Sequence, residues 1–203
     1  GLPHSGRFSF RHAYDVYANQ PYLAAFERFA LMDVGIHLYD LVRHFLGDVR
    51  SVACELQTLK DGIAGEDAFT ALLRHTSGAV TVVDCSFLTR RSPDPFPETL
   101  ATIEGSAGTL ELTTDFHLHI HDAQGRHTEG TEPPVPAWGA RPWHTIQDSV
   151  IRFQSHWVDV LNGRTAPQPS GAHNLGTLAL ALASYDAAAT GSVIDMAAWE
   201  ARK

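Results

Sequence analysis

The sequence predicts an α+β fold: an open, mostly antiparallel β-sheet with helices covering one face. Three observations carry this. Six short β-patterned segments follow one another between residues 49 and 121, two long helical patterns close the chain, and a third helical pattern precedes the strands. The 203 residues are 44% hydrophobic, enough to bury one sizeable core, and residues 1–203 read as a single domain.

Each element rests on a local signal. Phe8 to Tyr14 alternates like a strand, and the Asn19-Gln20-Pro21 turn leads to a helix that opens at Asp33 and stops at Gly47. Val49 to Leu59, Ala68 to His75 and Ala79 to Leu88 are the next strands, the last two joined at Thr76-Ser77-Gly78, a short turn that pairs them antiparallel. Leu100 to Glu104, Thr109 to Leu112 and His117 to His121 add three more, with Gly105-Ser106-Ala107-Gly108 as a turn. Residues 130–142 are proline-rich and aperiodic, so they read as a surface connector. Ile146 to Leu161 then repeats apolar residues at helical spacing and stops at Asn162-Gly163; Ala172 to Thr190 is Ala/Leu-rich and stops at Gly191.

Composition removes whole classes of function. A formal charge of −8, from 15 Lys and Arg against 23 Asp and Glu, opposes nucleic-acid binding. No segment reaches the apolar length of a membrane span, and residues 1–4 lack the pattern of a signal peptide. Cys54 and Cys85, each within an apolar run, read as two buried reduced thiols, which points to a cytoplasmic protein. The chain starts without Met, which reads as a processed, tagged or truncated piece.

The stretch from Met32 to Gly47 carries the chemistry. At 100° per residue Asp33, His37, Asp40 and His44 fall within about 60° of arc, beside an apolar stripe of Val34, Leu38, Leu41, Val42 and Phe45. One side anchors in a core while its edge presents acid–base groups. Asp33 stands at the N-cap or first turn, where a carboxylate accepts backbone N–H groups and stays ionised.

Asp33-Val34-Gly35-Ile36-His37-Leu38-Tyr39-Asp40, followed by Leu46-Gly47, resembles the D-x-G-x-H-x-x-D segment of the Gfo/Idh/MocA oxidoreductases, the glucose–fructose oxidoreductase and inositol dehydrogenase family. Gly65-Glu66-Asp67, Ser77-Gly78-Ala79, Ile103 through Leu110, and Pro169-Ser170-Gly171 with Ala183-Ser184 follow in the family's order, so the resemblance spans nearly the whole chain. It implies a C-terminal domain of the dihydrodipicolinate-reductase and glyceraldehyde-phosphate-dehydrogenase type, which normally follows a Rossmann domain. No G-x-G-x-x-G turn occurs here, and Lys60 and Lys203, the two lysines, lie outside any E-K-P context. The expectation is therefore the substrate-binding and oligomerisation half of an enzyme that uses NAD or NADP on a sugar, inositol or related polyol. The N-terminal dinucleotide-binding domain would be absent, and this chain alone inactive and free of cofactor.

The resemblance further implies catalytic roles for His37, which would exchange a proton with the reacting hydroxyl or carbonyl, and for Asp33, which would orient the substrate. His12 and Tyr14, placed on one face of the first strand, would contact substrate, as would Asp40; Arg90 and Arg91 would reach an acidic or phosphate group. His44 continues the stripe with a structural hydrogen bond as its ordinary role. His117, His119 and His121 alternate along a strand at about 7 Å, too far apart to hold a metal without further ligands, and no metal is expected. Strand 79–88 has apolar residues on both sides, which implies a homodimer or higher homo-oligomer through the sheet face. Two alternatives stay open: a non-catalytic binding or scaffolding relative, and a metal-dependent hydrolase or isomerase using the histidines.

Overall fold

A computed structural model describes residues 1–202. Among them nine strands form one sheet: β1 (Pro3–Arg11), β2 (Val49–Gln57), β3 (Ala68–His75), β4 (Val80–Ser86), β5 (Leu100–Gly105), β6 (Gly108–Thr113), β7 (His117–Asp122), β8 (Gly125–Gly130) and β9 (Ile194–Asp195). The helices are α1 (Val16–Asn19), α2 (Ile36–Leu46), α3 (His144–Leu161), α4 (Gly171–Thr190) and α5 (Met196–Glu200). The spatial strand order is β8-β7-β6-β5-β1-β4-β3-β2-β9. Every neighbouring pair is antiparallel except β1 and β4, because the chain leaves β1, builds α2 and the β2–β3 hairpin, and returns to lay β4 alongside in parallel.

The alternation of side chains sorts the sheet into two faces. Phe8, Val83 and Ala71 lie in register on one face and meet Leu38, Tyr39, Val42 and Leu46 of α2, all buried. Helix α4 covers β2 and packs on α2, its Ser184 hydroxyl lying 2.9 Å from that of Tyr39. The open face of the same strands is mixed: Arg7, Val82 and Leu72 stand in one row, Ser9, Asp84 and Thr70 in the next, and Arg11 bridges to Asp84 at 2.6 Å.

Four expectations need correction. The first strand runs from Pro3 to Arg11, so His12 and Tyr14 lie beyond it and do not share a strand face. Two strands escaped the pattern: β8 has no apolar residue and all six of its residues are exposed, and β9 has only two residues. The helices that cover the sheet are α2, α4 and α5. Helix α3 packs on no element as these do; only His144 and Asp148 of it are buried.

Candidate functional site

The entry to α2 is not a regular N-terminus. Residues Leu31–Gly35 form a π-helical turn in which Ile36 N–H donates back to Leu31 O, and the chain passes from it directly into α2. The expected cap is not made by Asp33. Glu66, carried on the loop before β3, takes that role: its Oε1 accepts N–H groups of Phe29 and Leu31, each at 3.0 Å, and its carbonyl accepts Ala30 N–H at 3.1 Å. Tyr185 of α4 donates its hydroxyl to the same Oε1 at 2.6 Å.

Two glycines of the sequence motifs are explained by close approach. A Cβ on Gly35 would stand 2.8 Å from the Phe69 ring, so only glycine lets the turn settle on β3. A Cβ on Gly65 would stand 2.4 Å from the Phe26 carbonyl, so the approach that brings Glu66 under the turn excludes any side chain there. Asp67 is fully buried and accepts N–H groups of Leu59 and Lys60 at 2.9 Å, which fastens the loop that carries Glu66.

With its capping function transferred to Glu66, Asp33 is left without a side-chain hydrogen bond among the described residues, and so is His37 one turn on. Both are exposed at the surface. The atoms packed around Asp33 raise its pKa, and the facing charge of His37 partly offsets this. The carboxyl is therefore harder to ionise than a capping carboxylate would be. Beneath it on β4 lies Cys85, fully buried, its thiol driven up by burial and then by the charge of Asp84, with Asp33 and Glu66 adding to the rise.

The other expected residues separate into groups. Asp40 faces α4: it accepts Thr177 Oγ1 at 3.2 Å and stands 3.7 Å from His173 Nδ1, so it ties the two helices together. His44 is exposed beside Phe45. His12 is buried, flat on Phe87 and edge-on to Phe10 and Phe96, and burial holds its pKa down at about 4 against the pull of Asp94 and the Tyr14 carbonyl; neither ring nitrogen closes a hydrogen bond. Tyr14 stacks on Phe96 at 4.4 Å, and Trp143 meets both edge-on. Phe87 joins this aromatic cluster to Phe29, whose carbonyl accepts Asp33 N–H at 2.7 Å, so His12, Tyr14 and Asp33 gather at one end of β1 and β4. Arg90 and Arg91 are exposed in the β4–β5 connection and pair with nothing among the described residues.

The histidines of β7 lie ring beside ring along the strand, and two of them bond separate partners. His119 bonds Thr128 Oγ1 at 2.8 Å and His121 bonds Glu111 at 3.1 Å. Among the described residues no three His, Cys, Asp or Glu converge as metal ligands. Glu66, Phe96 and Trp143 went unnoticed as site residues, because their contacts bridge 35 residues or more and no local spacing announces them; only the string Gly65-Glu66-Asp67 gave a hint.

The fold and this helix entry define an open-sheet domain with an Asp–His edge at one end of its central strands. The profile of the GFO/IDH/MocA C-terminal domain matches residues 1–111, and the chain belongs to that family. It is 45% identical over 201 residues to D-apiose dehydrogenase of Paraburkholderia graminis and 43% identical over 198 residues to that of Rhizobium rhizogenes. These alignments take in 99% and 98% of the chain but only 54% and 57% of the relatives, so the chain spans little more than half their length. A solved oxidoreductase from Agrobacterium radiobacter, in complex with NAD+, L-tartaric acid and magnesium, superposes with a TM-score of 0.95 at 43% identity, over 98% of this chain and 58% of that one.

Proposed function

We propose that this chain is the substrate-side half of an NAD(P)-dependent sugar oxidoreductase, with D-apiose and related small sugars or polyols as the first substrates to test. The observation that carries the reading is the Asp33–His37 pair, free of structural hydrogen bonds at the mouth of the central strands, in a chain so similar to two D-apiose dehydrogenases. The residues here do not fit a dinucleotide: the sequence has no glycine-rich turn of the required spacing. A bound nicotinamide supplies hydride acceptance, and that site belongs to polypeptide outside these residues.

The work left to this chain is the proton and the substrate's position. Removing a hydride from a carbinol carbon needs the hydroxyl proton to leave as charge develops, and the His37 imidazole is the group placed to accept it. Asp33 accepts a neighbouring hydroxyl and turns the reacting one toward His37. The aromatic group of Tyr14, Phe96 and Trp143 walls the same end of the sheet, while Arg90 and Arg91 reach substrates that carry an anion. Asp40 works through the α2–α4 contact. The buried free thiols of Cys54 and Cys85 suit a cytoplasmic location, and no described helix is long and apolar enough to cross a membrane.

Self-association through the open face belongs to the same reading, with Val80, Val82 and Leu72 at its centre. Light scattering at tens of micromolar tests it; a monomer counts against it. The test of the chemistry is His37→Ala in the full-length protein that contains this chain, assayed with NAD+ and D-apiose. Turnover falls about 10²- to 10⁴-fold with little change in cofactor affinity. Near-normal turnover by a folded variant would overturn the proposal.

A further inference from the structure

We infer that Glu66 is a positioning residue that sets Asp33 against His37 through the π turn. In a regular α-helix residues four apart overshoot one full rotation by about 40°. Widening the turn by one residue lowers the rotation per residue across 31–36 and brings Asp33 more squarely over His37. Such a turn is uncommon and needs an outside hold. Glu66 is that hold: a buried carboxylate whose single oxygen Oε1 takes two backbone N–H groups at 3.0 Å on the N-terminal side of Asp33, where the helix has no carbonyls of its own to offer.

The rest of the surroundings keeps that oxygen in place. Tyr185 donates to it from α4 at 2.6 Å, and Arg28 lies 4.7 Å over the Tyr185 ring. Gly65 and Asp67 fix the backbone on either side, through the close pass under Phe26 and the two bonds to the 59–60 segment. A merely structural cap would hold the helix end without caring how the turn is wound. Here the amides held are those of Phe29 and Leu31, and Asp33 sits two residues on in the same widened turn, with its own N–H bonded to Phe29 O. Movement of that segment is therefore movement of Asp33.

The assignment rests on the roles proposed above for Asp33 and His37, but its test does not use turnover, so the two fail separately. In this chain the Asp33 carboxyl is titrated by NMR in the parent, in His37→Gln, in Glu66→Gln and in the double variant. Removing the His37 charge raises the Asp33 pKa in the parent; in the Glu66→Gln background that rise falls to half or less. Exchange of the Leu31 amide becomes about tenfold faster, because a neutral acceptor replaces a charged one. Tyr185→Phe, which leaves both amide bonds in place, lowers the melting temperature and keeps the coupling. The inference is overturned if Glu66→Gln leaves the coupling unchanged, whether or not the Leu31 amide is loosened. It is overturned equally if Tyr185→Phe abolishes the coupling as well, since general loosening would then be the cause.

Discussion

Helices α2 and α3 look alike as patterns and differ completely as structures. In α2 the apolar positions Leu38, Tyr39, Val42 and Leu46 are buried against the sheet and α4, and the polar edge carries the candidate site. In α3 the stripe Ile146, Val150, Phe153, Trp157 and Leu161 recurs at the same spacing, yet Phe153 is 48% exposed, Trp157 41% and Leu161 80%. Amphipathicity states that a face will be covered. It does not state by what, and among the described residues no element packs broadly on α3. Helices draw most of their stability from such packing, so the contrast is open to measurement.

The largest expected effect falls on the polar edge of α2, where His37→Ala in the full-length protein lowers turnover by the factor given above. On the apolar side, Leu38→Ala costs about 2–5 kcal/mol in this chain by chemical denaturation, whereas Phe153→Ala changes its stability by about 0.5 kcal/mol or less. If polypeptide outside these residues packs on α3 in the full-length protein, Phe153→Ala there costs about 3 kcal/mol or more; an unchanged small cost rules such packing out. A large cost in the isolated chain, accompanied by dimerisation in light scattering, would show that a second copy covers it instead.

The segments that lead into the two helices sharpen the contrast next. His12, upstream of α2, is buried and held at about 4, while Trp143, at the start of α3, is half-exposed. A histidine whose folded pKa lies below its unfolded value near 6.5 contributes stability that is complete above that value. The contribution is lost as pH falls toward 4, by about 3 kcal/mol. His12→Phe, which keeps a ring between Phe10 and Phe87, removes this acid sensitivity; a variant as acid-labile as the parent would rule the assignment out.

The smallest effect is at Asp33. Its folded pKa is raised because neighbouring atoms partly desolvate the surface carboxyl, so ionising it opposes folding, and stability falls as pH rises through the unfolded and then the folded value. Asp33→Asn melts slightly higher than the parent at pH 7. Below the carboxylate range, where both are neutral, the difference vanishes.

The strands β2 to β7 and the three long helices were legible because each carries its own period, turn and stop, written within 20 residues of chain. The Asp33–His37 edge was legible for the same reason: two residues one turn apart need no tertiary knowledge to be placed together. Strand β8 was invisible, since a fully exposed edge strand has no apolar alternation to show. The parallel insertion of β1 beside β4, the burial of His12 and the cap supplied by Glu66 were decided only in three dimensions. Each pairs groups at least 35 residues apart, and such pairs are selected by the closing of the sheet rather than by any local preference. Local pattern was enough to fix which faces are apolar and to set Asp33 and His37 one turn apart on a polar edge. Tertiary structure decided which apolar face found a partner, and which carboxylate was spent on holding the backbone while the other was left free.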